Sequence, residues 1–158
     1  MHTTFGPIAL MGSGETSLAG GRLFEAIAQK LPRPLRVVLL ETPAGFELNS
    51  AQVAGRVADF LRTRLQNYQP VVDVVPARKR GTAFSPDDPA ILTPLLYAHL
   101  IFMGPGSPTY PVRQLLGSLA WALLLIFFYW LQSQSQVRDL GLMDSARVIV
   151  EQTERMTR

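Results

Sequence analysis

The apolar positions of this chain come in short runs that alternate with amphipathic stretches. Four of these runs predict strands, at residues 7–11, 35–40, 71–75 and 99–103. The run at 35–40 is almost wholly branched and apolar, so we expect it at the centre of a sheet. Asp73 and Pro76 interrupt the third run, which therefore suits an edge position. Strands that alternate with helical stretches predict an α/β fold with at least four parallel strands.

Helices are predicted between the strands. The first covers residues 18–31 and is stopped by the prolines that follow. The second begins near Asn49, where Asn49 and Gln52 are placed to form a capping box. A third follows the last predicted strand, with Ser107 as its N-cap and Pro108 at its first helical position.

The chain changes character near residue 121. Residues 119–131 form an apolar run without glycine or charge, and a charged, weakly amphipathic tail follows. We therefore divide the chain into an α/β domain over residues 1–121 and a divergent segment over residues 122–158. As a helix, residues 115–131 would span about 25 Å, short of a hydrocarbon core of about 30 Å. A buried helix end that runs into a core strand is favoured over a tail anchor in a membrane.

Composition narrows the classes of function. With 158 residues, 47% of them hydrophobic and 17% charged, the chain suits one compact domain. It has no cysteine, which excludes disulfides and thiolate catalysis, and we expect neither a metal ion nor a cofactor. The net charge is +3, but the basic residues are scattered and the run 78–80 is interpreted as a solvated loop, so no nucleic-acid partner is expected. Without a basic, apolar leader, a cytoplasmic location is expected.

Three loops after predicted strands hold the candidate chemistry, because ligands of open parallel sheets bind beyond the carboxyl ends of the strands. In the last loop, Gly104 and Gly106 can turn N–H groups towards an anion or oxyanion, and Ser107 opens the next helix. A tight strand-to-helix turn explains the same glycines equally well. The residues expected to contact a polar ligand from the other two loops are Gly12, Ser13, Gly14, Glu15, Glu41 and Thr42.

Two further interpretations of these loops are less favoured. Gly12 and Gly14, with Glu41 at the end of the next strand, match part of a dinucleotide fingerprint. However, Ser17 stands in place of the third glycine, and Glu15 would set a negative charge beside a pyrophosphate. A catalytic carboxylate pair of Glu15 and Glu41 is also disfavoured, since such residues more often cap helices or bond to turns.

Three segments together resemble the class I glutamine amidotransferase-like superfamily, in the branch of peptidase family S51, dipeptidase E and cyanophycinase. They are residues 8–15 (IALMGSGE), 39–44 (LLETPA) and 101–110 (IFMGPGSPTY), the last continued by residues 112–115. The resemblance implies a flavodoxin-like, three-layer α/β/α fold with a mostly parallel sheet. It also implies a serine hydrolase that acts on acidic peptides, with the loop at Gly104 and Gly106 contributing to the oxyanion hole.

The catalytic part of that pattern is missing. No serine lies in a Gly-x-Ser-x-Gly elbow, and Ser133 and Ser135 have no flanking glycines. No histidine follows Gly104, and His99 is interpreted as a core or edge histidine. We therefore assign no catalytic residue and expect a hydrolase-like but catalytically incomplete domain. A truncated or frame-shifted origin of the sequence from about Ala122 is our hypothesis for this departure.

Other functions remain as alternatives. The same loops suit a non-catalytic module that binds a small anion or a nucleotide, and the apolar run leaves open a tail-anchored membrane protein. The expected partner is a small molecule or a short peptide. An open sheet edge would also favour a homodimer.

Overall fold

The computed structural model describes residues 9–133, with side chains as far as residue 127. Five α-helices and three strands follow one another along this part of the chain. They are α1 (Leu18–Ala28), β1 (Arg36–Leu40), α2 (Ser50–Arg64), β2 (Val71–Val75), α3 (Pro89–Leu92), β3 (Leu100–Met103), α4 (Thr109–Leu115) and α5 (Leu119–Ser133). Short 3-10 helices at Thr42–Ala44, Gln66–Tyr68 and Thr93–Tyr97 lie in the connections.

The three strands form a parallel sheet in the order β2-β1-β3. Leu39 on β1 lies opposite Val74 on β2 and Phe102 on β3. Four of the five β1 residues are buried, as expected of a strand covered on both faces. The α/β class with a parallel, flavodoxin-like sheet is therefore confirmed, as are the central position of β1 and the edge position of β2.

Two apolar clusters cover the two faces of the sheet, because successive side chains of a strand point to opposite sides. Val37 and Leu39 pack with helices α1 and α2 in the first cluster. Val38 and Leu40 pack in the second cluster. The helical residues of the second cluster come from α3, α4 and α5 and include Leu92, Leu115, Ala120 and Leu124. Helices thus lie on both faces, which gives three layers.

The first predicted strand does not form in its described part. Residues 7 and 8 lie outside the described residues, while Ala9, Leu10 and Met11 have no strand structure. Leu10 is 94% exposed, and only Met11 packs against the first cluster. The expectation of at least four strands is wrong for the described residues, which contain three. Apolar character alone supported this strand, and no described strand supplies the ladder of hydrogen bonds that it requires.

Helix boundaries differ from the expected ones in two informative places. Asn49 precedes α2 as expected, but its side chain makes no capping hydrogen bond, so the predicted capping box is wrong. Its backbone angles, φ −100° and ψ 12°, depart from the extended geometry of an N-cap residue. Helix α4 begins at Thr109, one residue later than expected, yet Ser107 Oγ still accepts a hydrogen bond from the N–H of Tyr110 at 3.3 Å.

The apolar run after residue 118 is a continuous helix, α5, and not a helix that leads into a strand as expected. Ala120 and Leu124 are buried on the second cluster. Within the described residues, no single helix has the length and apolar character to cross a membrane. A bent pair, Thr109–Leu115 with Leu119–Phe127 at 105°, meets the length and composition criteria together. The charged tail predicted after this run lies outside the described residues.

Candidate functional site

The loops that follow β1 and β3 are in direct contact at the carboxyl edge of the sheet. The N–H of Gly104 donates to the carbonyl oxygen of Leu40 at 3.1 Å, and the N–H of Ser107 donates to that of Pro43 at 2.9 Å. Gly106 has a φ of +149°, and a Cβ there would lie 2.2 Å from the Pro43 oxygen. Only glycine permits this approach, so Gly106 is required by the contact between the loops.

A small cleft opens beside these loops. Its walls include Glu41 at the end of β1, Ser50 at the start of α2, and Gly104 and Pro105 from the loop after β3. Its empty volume is about 190 Å³, including space that is open to solvent. Sites for drug-sized ligands usually measure roughly 300–1,000 Å³. The volume that a water-sized sphere can occupy inside the cleft is only about 10 Å³, room for about one water molecule. A larger ligand would therefore have to bind on the surface of the loops.

Glu41 is buried at the floor of this region and pairs with Arg78. The residue is 3% exposed. Arg78 Nη2 donates to Oε2 at 3.2 Å, and Arg78 Nε lies 2.8 Å from Oε1. The shorter contact is not aligned as a hydrogen bond, so one hydrogen bond and charge attraction hold the pair. The carboxylate expected to contact a ligand is thus engaged within the protein.

Arg78 is a residue of this region that the sequence did not reveal. The prediction of a solvated loop is wrong for Arg78, which is 24% exposed, although Lys79 and Arg80 are exposed. The guanidinium carbon of Arg78 lies 4.3 Å from the centre of the Phe84 ring. The backbone N–H of Arg78 donates to the Phe84 carbonyl oxygen at 2.7 Å. The sequence contained one signal for this pair. Glu41 directly follows a strand that is expected to be buried, where a carboxylate needs a cation, and residues 78–80 after the next strand are all basic.

Thr42 is fully buried and joins the loops after β1 and β2. Its hydroxyl donates to the carbonyl oxygen of Ala77 at 2.8 Å. The N–H of Glu41 donates to the carbonyl oxygen of Val75 in the same region. The Thr42 side chain is therefore buried and its hydroxyl is used to hold two loops together.

The loop with Gly12, Ser13, Gly14 and Glu15 folds onto the start of α1, and none of these residues lines the cleft. The Gly14 carbonyl oxygen accepts from the N–H of Ser17 at 2.9 Å, and Ser17 Oγ accepts from the N–H of Gly20 at 3.1 Å. A Cβ on Gly20 would lie 2.5 Å from the Gly14 oxygen. Ser17 is thus the N-cap of α1, and Gly20 lets this helix lie close to the backbone of the loop before it.

Several polar groups remain on the surface of the loop after β3. Ser107 Oγ lies 3.0 Å from Thr109 Oγ1. The N–H of Gly106 has no acceptor among the described residues. The ring centres of Phe46, in the loop after β1, and Tyr110, in α4, lie 5.1 Å apart. These groups lie on the loop after β3 and next to it, and none of them is among the residues that line the cleft.

His99 lies at the opposite end of the sheet, before the first residue of β3. Its Nδ1 accepts a hydrogen bond from the N–H of Arg36 at 3.2 Å. This contact agrees with the interpretation of an edge histidine, and it separates His99 from the loops at the carboxyl edge. Across residues 9–133, no group of three acidic or histidine side chains is arranged to hold a metal ion.

Comparisons with known proteins leave the family open. No family model matches the chain, and no curated protein and no solved structure matches it with significance. The function is therefore argued from the residues of the site.

Proposed function

We propose that this chain is a hydrolase-like domain of the class I glutamine amidotransferase-like type, related to peptidase family S51, that binds a short acidic peptide without hydrolysing it. The observation that carries the proposal is the contact of Gly106 with Pro43. It holds the loop after β3 against the loop after β1, and the Gly106 N–H has no backbone acceptor among the described residues. A free N–H beside a helix start suits a carboxylate oxygen.

Several features argue against turnover. The chain has no Gly-x-Ser-x-Gly elbow, and no histidine follows Gly104. His99 lies at the other end of the sheet and is bonded to Arg36. The N–H groups of Gly104 and Ser107 are already engaged by the Leu40 and Pro43 carbonyl oxygens. An oxyanion needs several donors aimed at one point, and this loop offers a single one.

A second candidate is a module that binds a small inorganic anion. The exposed hydroxyls of Ser107 and Thr109, 3.0 Å apart, favour it, because a small anion needs only a few donors close together. Both hydroxyls can donate to such an anion, and Ser107 directly follows Gly106 in the loop. This candidate uses the same loop and differs in its ligand.

The experiment titrates the full chain with an aspartyl dipeptide and with inorganic phosphate by calorimetry. In parallel, chromatography follows hydrolysis of the dipeptide, and a fluorophosphonate probe detects an activated serine. We expect saturable binding of the dipeptide, no hydrolysis and no labelling. Hydrolysis or labelling would overturn the proposal in favour of an active enzyme. Binding of phosphate alone would support the second candidate, and binding of neither would reject both.

Gly106→Ala provides the site variant, because its Cβ would meet the Pro43 oxygen at 2.2 Å and displace the loop. Gly81→Ala is the matched control. Gly81 also has a positive φ, +70°, but a Cβ there meets nothing within 4 Å. We expect Gly106→Ala to weaken dipeptide binding at least tenfold, while Gly81→Ala binds as the wild type does. Equal binding by both variants would contradict the site.

A further inference from the structure

Strand β3 forms one edge of the described sheet and carries neither the charge nor the proline that protects many edge strands. No described strand pairs with its outer side. The sequence of β3, Leu100–Met103, contains no charge and no proline. A strand edge presents a row of backbone N–H and C=O groups, and an uncharged apolar edge is a template for another strand.

The apolar core is open on both faces of this strand. Leu100 and Phe102 pack against the first cluster and Ile101 against the second, yet all three stay half-buried. Met103 is 41% exposed. The central strand β1 has four buried residues of five. A further strand beside β3 would cover side chains that the described fold leaves partly in water.

The other edge is different. Asp73 lies in the middle of β2 and places a charge on that edge. Arg62 Nη2 donates to the carbonyl oxygen of Val72 at 2.7 Å, which satisfies one acceptor of the strand. Charge and a capped carbonyl both hinder the addition of a strand. The contrast shows that the fold protects one edge and leaves the other open.

We propose that β3 pairs in antiparallel orientation with β3 of a second copy of this chain. A two-fold axis sets the same patch against itself, so the patch must be complementary to itself. Residues 100–103 meet this condition, because four uncharged apolar residues bring no like charges together. The β2 edge would oppose its own Asp73 in such a pair. The dimer also extends the sheet to six strands and covers the open edges of both copies.

The test measures the mass of the full chain by sedimentation over a range of concentrations. Met103→Lys places a positive charge on the β3 edge of each copy. Val71→Lys is the matched control, since Val71 is 42% exposed on β2 and Met103 is 41% exposed. We expect a dimer whose dissociation constant rises at least tenfold with Met103→Lys and changes less than twofold with Val71→Lys. A dimer that is insensitive to Met103→Lys would overturn the proposal.

Hydrogen exchange gives a second measurement that needs no variant. The Gly104 N–H donates to Leu40 on β1, and directions alternate along a strand, so in the observed register the N–H groups of Ile101 and Met103 point to the outer edge. We expect their protection to rise with protein concentration. Protection that does not depend on concentration would assign the edge to another segment of the same chain. A monomer without protection, open-ended aggregates, or protein that is soluble only in detergent would equally reject the dimer.

Discussion

The guanidinium of Arg78 reaches the buried carboxylate of Glu41 and so ties the loop after β2 to the end of the central strand. Glu41 ends β1 beneath the candidate cleft, and Arg78 stacks on Phe84 at the same time. The pair therefore sets the position of the loops around the cleft. Because the Glu41 carboxylate and the Arg78 guanidinium are paired with each other, the pair stabilises the loops around the cleft and presents no unpaired charge to a ligand.

Arg78→Ala should destabilise the protein by about 3 kcal/mol or more, because the variant leaves the Glu41 carboxylate buried without its cation. Urea denaturation of the full chain measures the change in the free energy of unfolding. Asp59→Ala is the control. It removes the ion pair of Asp59 with Arg62, in which Asp59 is 77% exposed, and should cost less than about 1 kcal/mol.

The double variant Glu41→Gln, Arg78→Ala sharpens this test. It removes the buried charge together with its partner, so it should be more stable than Arg78→Ala alone. If the double variant is less stable than Arg78→Ala, the cost arises from lost packing of the arginine side chain and not from an unpaired carboxylate.

Gly20→Ala and Gly55→Ala should change stability in opposite directions although both lie within helices. A Cβ on Gly20 would lie 2.5 Å from the Gly14 carbonyl oxygen, so the loop before α1 must move and the protein is destabilised. A Cβ on Gly55 meets nothing within 4 Å, and alanine there should stabilise α2 by about 0.5–1 kcal/mol. Thermal unfolding of both variants measures the difference, and a stabilising Gly20→Ala would contradict the packing of the loop on α1.

Ser17→Ala should cost about 1 kcal/mol, because the Ser17 hydroxyl accepts the N–H of Gly20 at the start of α1. Asn49→Ala is the matched substitution at the start of α2, where the side chain makes no such bond. We expect Asn49→Ala to change the free energy of unfolding by less than about 0.5 kcal/mol. Equal costs in urea denaturation would show that the two caps do not differ as the structure describes.

Continuous apolar runs were the most reliable guide to this fold. Strands β1, β2 and β3 lie within one residue of their expected positions, since a parallel strand that is covered on both faces needs an uninterrupted apolar sequence. Asp73 interrupts the apolar sequence of β2, and this interruption correctly predicted that β2 lies at the edge of the sheet. The run at residues 7–11 has a similar composition, but its described residues form no strand, because a strand also needs a partner at its side.

The candidate site was less accessible from the sequence. The contact of Gly106 with Pro43 and the ion pair of Arg78 with Glu41 join segments that are far apart along the chain. Local patterns describe neighbours in sequence, so they identified the loops and missed the contacts between them. For Arg78 the pattern of three basic residues pointed to solvent, while the tertiary fold brought one of them to a buried acid.

The central position of β1 also sets an order of events during synthesis. Leu39 pairs with Val74 on one side and with Phe102 on the other, and both partners are made after it. Until β3 emerges from the ribosome, one side of the most buried strand has no partner in the chain described here. Parallel pairing between distant segments forms slowly, so this interval is when a nascent chain is most exposed to aggregation.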